Sequence, residues 1–311
     1  MLYHGVLELV GDTPLVEVSE LSPNPAVQIY AKLEGHNPTG SVKDRIANFM
    51  VNAAERDGRL QPGQTILEPT SGNTGISLAL IGRLRGYPVK VVMPDAVSIE
   101  RVQLLEAFGA EILYSPGELG TNGSVVRAKE LALEHPDWFL PFQYENPDNP
   151  RAHYETTAPE ILRDLPKLDV FVSGLGTGGT LTGVGRRLKE HDPAIRVVAA
   201  APHPGDLVQG LRSLEEGYIP PVFDDTVLDG RIVVDSRTSF RLTKELMERC
   251  GIFAGISAGA VIRAAQRVAE QMERGQIVCL LADGGWKYLS TGLWTKEYSE
   301  IEEDVSEKMW W

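Results

Sequence analysis

The feature that most constrains this chain is an alternation. Short β-branched runs, each bounded by turn residues, are followed by longer stretches of helical periodicity through most of its 311 residues. Strands are predicted at 28–33, 65–68, 89–93, 111–114, 170–173, 196–200, 231–234 and 277–281, and helices at 42–56, 74–85, 99–108, 124–134, 154–163, 180–190, 237–249 and 258–274. Strands that are continuously apolar, in repeated βα order, need cover on both faces. The expected class is therefore α/β, with open, mainly parallel sheets covered by helices. The length exceeds one average domain, so two domains are expected, and the turn-rich stretch 144–150 is the best boundary. The Gly- and Pro-rich stretch 202–225 suits a flap or an entrance.

Composition narrows the function class. A formal charge of −13 argues against a nucleic-acid surface, which needs clustered Lys and Arg. No apolar run approaches the roughly 20 residues that span a bilayer, and the first residues lack a basic segment followed by an apolar one. Cys250 and Cys279 have no CxxC spacing, and the six histidines are scattered. The expectation is a cytoplasmic protein with reduced cysteines, no metal site and no membrane partner.

Four segments carry chemistry. Asn37-Pro-Thr-Gly-Ser-Val-Lys43-Asp-Arg45 reads as a tight turn, with Ser41 and Asp44 as a capping pair opening a helix. Lys43 then sits in the first turn, where the helix dipole disfavours an ammonium. It is either an ordinary surface lysine or an amine kept neutral enough to condense with an aldehyde. Glu68-Pro-Thr-Ser-Gly-Asn-Thr-Gly75 joins a strand to a helix and lacks P-loop spacing. Thr70, Ser71, Asn73 and Thr74 offer more donors than a helix cap needs, which suits an anion.

Ser173-Gly-Leu-Gly176-Thr-Gly-Gly-Thr180 resembles a dinucleotide turn, but the next strand ends in alanines instead of an acid. A single phosphate fits it better. Gly251-Ile-Phe-Ala-Gly-Ile-Ser257-Ala-Gly-Ala260 is another small-residue turn, in which Ser257 could be only an N-cap. Asp283-Gly-Gly285 follows a buried strand, where parallel sheets place ligand contacts.

Together these segments resemble the fold-type II pyridoxal-phosphate enzymes (tryptophan-synthase-β-like), and among them the cysteine synthases. The likeness runs in order from Gly11-Asp-Thr-Pro-Leu15 to Tyr288-Leu-Ser-Thr-Gly292. It implies pyridoxal 5'-phosphate as cofactor, with Lys43 as Schiff-base lysine and general base. It assigns Asn73 to the 3'-oxygen, Gly176, Thr177, Gly178, Gly179 and Thr180 to the phosphate, and Ser257 to the pyridine nitrogen. Asp283 is added to the cofactor site from its place after the strand. Thr70, Ser71, Thr74 and Gln143 would hold the substrate carboxylate. The implied reaction is β-replacement: an activated serine loses its substituent to give an aminoacrylate, and sulfur adds to make L-cysteine.

Within the family, Gly210-Leu-Arg212-Ser-Leu-Glu-Glu-Gly217, the stretch from Ala282 to Gly292 and the terminal Met309-Trp-Trp311 are similar to B-type enzymes, especially O-phosphoserine sulfhydrylases. Arg212 could then pair with a substrate phosphate, although B-type enzymes using O-acetylserine also carry arginine in this region. Sulfide, thiosulfate or a thiocarboxylated sulfur-carrier protein could donate the sulfur. The resemblance also implies a homodimer, a smaller mobile domain at 37–147, and a larger phosphate-binding domain from 1–36 plus 148–311. The competing readings are a serine or threonine dehydratase, a cystathionine β-synthase-like enzyme, and a non-catalytic regulatory partner.

Overall fold

The computed structural model describes residues 2–70, 72–95, 97–206, 208–215 and 218–301. Ser71, Gly217 and Met309 to Trp311 lie outside them.

The nine strands found among the described residues form two sheets. The larger takes β1 (Leu15–Glu17), β2 (Val27–Leu33), β6 (Val170–Gly174), β7 (Arg196–Pro202), β8 (Gly230–Val234) and β9 (Gly275–Leu281) in the order β1-β2-β9-β6-β7-β8. All its neighbours run parallel except β1, which lies antiparallel to β2 at the edge. The smaller sheet is β3 (Ile66–Pro69), β4 (Val89–Pro94) and β5 (Glu111–Ser115), all parallel. This is the expected α/β arrangement. The central strands show why their sequences are continuously apolar: β9 pairs Ile277 with Ile29 on one side and with Val170 on the other, and all three are fully buried.

The helices are α1 (Lys43–Arg56), α2 (Asn73–Arg85), α3 (Ile99–Phe108), α4 (Gly120–Glu134), α5 (Asp148–Ala152), α6 (Ala158–Asp164), α7 (Gly179–His191), α8 (Ser236–Cys250) and α9 (Ser257–Ala269). One core cluster packs α9 and Leu242 and Leu246 of α8 on the large sheet, and another packs α7 on its opposite face. A separate cluster joins α1 and α2 to the small sheet. No helix among the described residues is long and apolar enough to cross a membrane.

Two expectations need correction, and one strand was not foreseen. The edge strand β1 is too short for its alternation to show in sequence. The helix expected at 154–163 is α5 and α6 joined by a π-turn at His153–Thr157, a local widening that composition does not announce. The capping pair also differs, since α1 has no side-chain cap. Ser41 Oγ accepts the Lys43 amide at 3.3 Å, while the Asp44 carboxylate accepts from Thr39 N at 2.7 Å and Ser77 Oγ at 2.5 Å.

A buried ionic cluster ties the elements beneath the Lys43 turn. Arg45 donates to both oxygens of Glu160, each at 2.7 Å, and to Glu34 at 2.7 and 2.9 Å. Lys32 Nζ meets Glu160 at 2.7 Å and the Thr13 carbonyl at 2.6 Å. Two cations face two carboxylates, so the group is neutral as a whole. Burial works against Glu160, but Arg45 and then Lys32 bring its pKa down to about 2.

Candidate active site

The four motifs converge on one cleft at the C-terminal ends of β3, β6 and β9, where an open parallel sheet leaves loops and helix N-termini pointing at a ligand. Lys43, Thr70, Asn73, Thr74, Gln143 and Asp283 line it, and so do Gly176, Thr177, Gly178, Thr180, Arg212 and Ser257. Gly179 is not a lining residue. It opens α7, and a Cβ there would meet Asn149 Oδ1 at 2.0 Å. Ser71 lies outside the described residues.

Lys43 is placed by the turn before it. Val42 N donates to the Ala282 carbonyl at 2.8 Å, and Gly284 N to the Gly40 carbonyl at 3.2 Å, so the turn is stitched to the end of β9. Gly40 has φ 80°, and a Cβ there would stand 2.5 Å from the Trp286 ring. Only glycine lets this turn lie so close. Among the described residues, no hydrogen bond or ion pair forms at Lys43 Nζ. Burial lowers its pKa, opposed by the carboxylates of Asp283 and Glu34. The sequence pointed to the helix dipole; burial lowers the pKa as well.

Opposite Lys43 stands a polar wall. Asn73, the first residue of α2, donates from Nδ2 to Asp283 Oδ2 at 2.7 Å and accepts at Oδ1 from Lys287 Nζ at 2.7 Å. Tyr288 OH donates to the same Asp283 oxygen at 2.5 Å, while Asp283 Oδ1 is buried with no partner among the described residues. Lys287 is fully buried and was missed in the sequence, although it lies inside the Asp283 to Gly292 segment. Its signal there was a lysine between two aromatic residues directly after a buried strand.

The glycine loop after β6 leads into α7. Gly178 has φ 85° and caps the helix without a side-chain bond; Gly179 N donates at 3.4 Å to Thr177 Oγ1, and the next amides of α7 remain for an anion. Thr177 and Thr180 add hydroxyls beside them. Asn149, also missed, donates to the Gln143 carbonyl at 2.7 Å and to Thr177 Oγ1 at 3.3 Å, linking this loop to the next feature.

That feature is a second polar shelf. Thr74 Oγ1 donates to Gln143 Oε1 at 2.8 Å. The backbone amides of Phe142 and Gln143 donate to buried Glu68 at 2.7 and 3.0 Å. Burial raises Glu68 to about 8 despite those two amides. Arg212 reaches the cleft from the loop after β7, donating to the Tyr218 carbonyl at 3.0 Å, with its guanidinium about 6 Å from the Tyr144 and Tyr218 rings (5.9 and 5.8 Å). Ser257 is the first residue of α9 and not its N-cap, so its hydroxyl stands at the helix mouth facing the cleft.

A depressed amine, uncapped helix amides with two threonines, and a buried carboxylate oxygen without a partner suit a ligand carrying an aldehyde, a phosphate and polar ring atoms. Comparison with known proteins agrees. A family model described as "Pyridoxal-phosphate dependent enzyme" matches residues 6–283. A probable cysteine synthase of Bacillus subtilis is 44% identical over 300 residues, covering 93% of this chain and 96% of the relative. The crystal structure of an O-ureido-L-serine synthase superposes with a TM-score of 0.90 at 42% identity, over 96% of this chain and 97% of that one. A cysteine synthase of Entamoeba histolytica gives a TM-score of 0.89 at 35% identity, over 100% and 96%.

Proposed function

The chain belongs to the pyridoxal-phosphate-dependent enzymes, and from that premise we propose that it makes L-cysteine from an activated serine and a sulfur donor, with Lys43 as anchor and base. The observation that carries this reading is Lys43: a half-buried amine of lowered pKa in one cleft with Asn73, the α7 amides and Ser257.

Lys43 would hold the cofactor's aldehyde carbon, the α7 amides with Thr177 and Thr180 its phosphate, Asn73 its ring oxygen and Ser257 its ring nitrogen. Bound there, pyridoxal phosphate supplies the electron sink that acidifies the substrate Cα and lets the β-substituent leave. The protein's own groups do the rest. Thr70, Thr74 and Gln143 clamp the substrate carboxylate, so that the Cα proton faces Lys43 Nζ. A neutral amine is the competent form of a general base, and burial of Lys43 favours that form. Ser257, a neutral hydroxyl, accepts or donates without fixing a charge on the ring nitrogen.

Arg212 lies where it can meet the leaving group, and a guanidinium binds phosphate in a two-point geometry that acetate does not demand. The serine is O-phosphoserine, or O-acetylserine if Arg212 binds only the nearby rings and carbonyl. The sulfur comes from sulfide, thiosulfate or a thiocarboxylated carrier protein. The enzyme works as a cytoplasmic homodimer. The unit 37–147 closes over substrate on the unit formed by 1–36 and 148–311, a reading supported by the small sheet lying wholly within the first.

Incubating the protein with pyridoxal phosphate, sulfide and each activated serine tests the reading. Cysteine is expected. Pyruvate or cystathionine in its place would contradict it, and so would turnover that survives Lys43→Ala.

A further inference from the structure

A fully buried amine stands behind the cleft wall, on Asn73, and has no part in the reaction derived above. Lys287 belongs to a short 3-10 helix, Gly285–Thr291, and its backbone is pinned by Ser98 Oγ, which donates to its carbonyl at 2.9 Å. Its Nζ donates to Asn73 Oδ1 at 2.7 Å, while Asn73 Nδ2 donates to Asp283 Oδ2 at 2.7 Å. An ammonium has only donors and an ionised carboxylate only acceptors, so each end of the Asn73 amide meets a group of single polarity. The amide can therefore stand one way round. Nδ2 carries two hydrogens: one goes to Asp283, and the other is left for an acceptor in the cleft that Asn73 lines.

We propose that Lys287 is a positioning residue for pyridoxal phosphate: acting through Asn73, it fixes the amide so that a donor, and never the carbonyl oxygen, is offered to the cofactor's ring oxygen. This rests on the reading of the cleft as the cofactor site. A methionine would fill the same space without the cost of burying an amine, so the amine has to be accounted for by its polar partner. Burial lowers Lys287 to about 8; Asp283 and Asp44 oppose that, while Arg101 and Lys43 add to it. A purely structural Lys287 would only balance the charges of Asp44 and Asp283, and that alternative predicts no coupling to Asn73.

The experiment is a titration of the apoprotein with pyridoxal phosphate, read as Kd and as the visible absorption of the bound form. The proteins compared are native, Lys287→Met, Asn73→Ala, the double variant and Lys287→Gln. Loss of one charge-assisted hydrogen bond predicts that Lys287→Met weakens binding about tenfold or more and shifts the absorption band. The double variant should bind no more weakly than Asn73→Ala alone, because Lys287 acts through the missing amide. Lys287→Gln keeps a donor of similar reach and should stay within about threefold of native.

Native-like binding and spectrum in Lys287→Met would overturn the proposal. So would penalties that multiply in the double variant. Should Lys287→Met not fold, Lys287→Ala decides, alone and with Asn73→Ala: a tenfold loss that does not add to that of Asn73→Ala supports the proposal, and a native-like Kd sinks it. A native protein that binds no pyridoxal phosphate overturns both this inference and the reading beneath it. Native binding with an indifferent Lys287→Met overturns the inference alone.

Discussion

Two buried groups of charge lie on opposite sides of the Lys43 turn, and they are built on opposite rules. Beneath it, Arg45 and Lys32 face Glu34 and Glu160 in a closed set of charge-assisted bonds. In the cleft wall, Lys43 and Lys287 stand near Asp283, yet Lys43 Nζ makes no bond among the described residues and Asp283 Oδ1 has no partner there. The first cluster uses its polar capacity on itself and holds elements together. The second keeps capacity in reserve, and burial lowers the pKa of both its amines against the pull of Asp283. Buried charge alone does not mark a site, whereas buried charge left partly unmatched does.

That contrast can be broken by substitution. Lys43→Ala should cost the reaction its base, lowering kcat/KM about 10²- to 10⁴-fold with the apoprotein's thermal midpoint preserved. Arg45→Met should do the reverse. Removing one partner of a buried pair costs about 3–5 kcal/mol, read as a fall in the urea midpoint, while kcat of the folded fraction stays near native. Equal loss of stability in the two variants would erase the distinction. At the rim, Arg212→Ala should lower kcat/KM for O-phosphoserine about ten- to a hundredfold and leave O-acetylserine nearly unaffected. A similar loss with both substrates would deny a phosphate-specific role.

The smallest effect separates the clusters by pH. Glu160, at about 2 against an ordinary 4.5, contributes stability that is complete above 4.5 and is lost as pH falls toward 2. Lys287, at about 8 against 10.5, is a cost relieved by deprotonation. Between those values the unfolded chain holds the proton longer than the folded one, so stability rises with pH across that window. Thermal midpoints of the apoprotein and of Lys287→Met should therefore converge at the alkaline end. Parallel curves would contradict a lowered Lys287.

Much of this was legible in the chain. β6 and β9 are largely continuous apolar runs and β4 is broken only by Lys90, and their alternation with helices gave the α/β class and the place where loops must converge. Lys43, Asn73, the 176–180 loop and Ser257 sit in turns that open helices, the first three after strands and Ser257 after α8, and short motifs are strongest there. What stayed hidden depends on distant pairing. Lys287 is 214 residues from Asn73, and Asn149 is 28 from Thr177, so no local pattern joins them. Likewise, the closed network on Arg45 spans 115 residues to Glu160, and its sequence looks like ordinary helix charge.

The most direct test of the central claim is to reduce the protein with borohydride in the presence of pyridoxal phosphate and map the modified peptide by mass. Two lysines of lowered pKa stand near one another, Lys43 lining the cleft and Lys287 behind Asn73, so the result discriminates between them. The account predicts one pyridoxyl group, on Lys43. A label on Lys287, or none on the native protein, would contradict it.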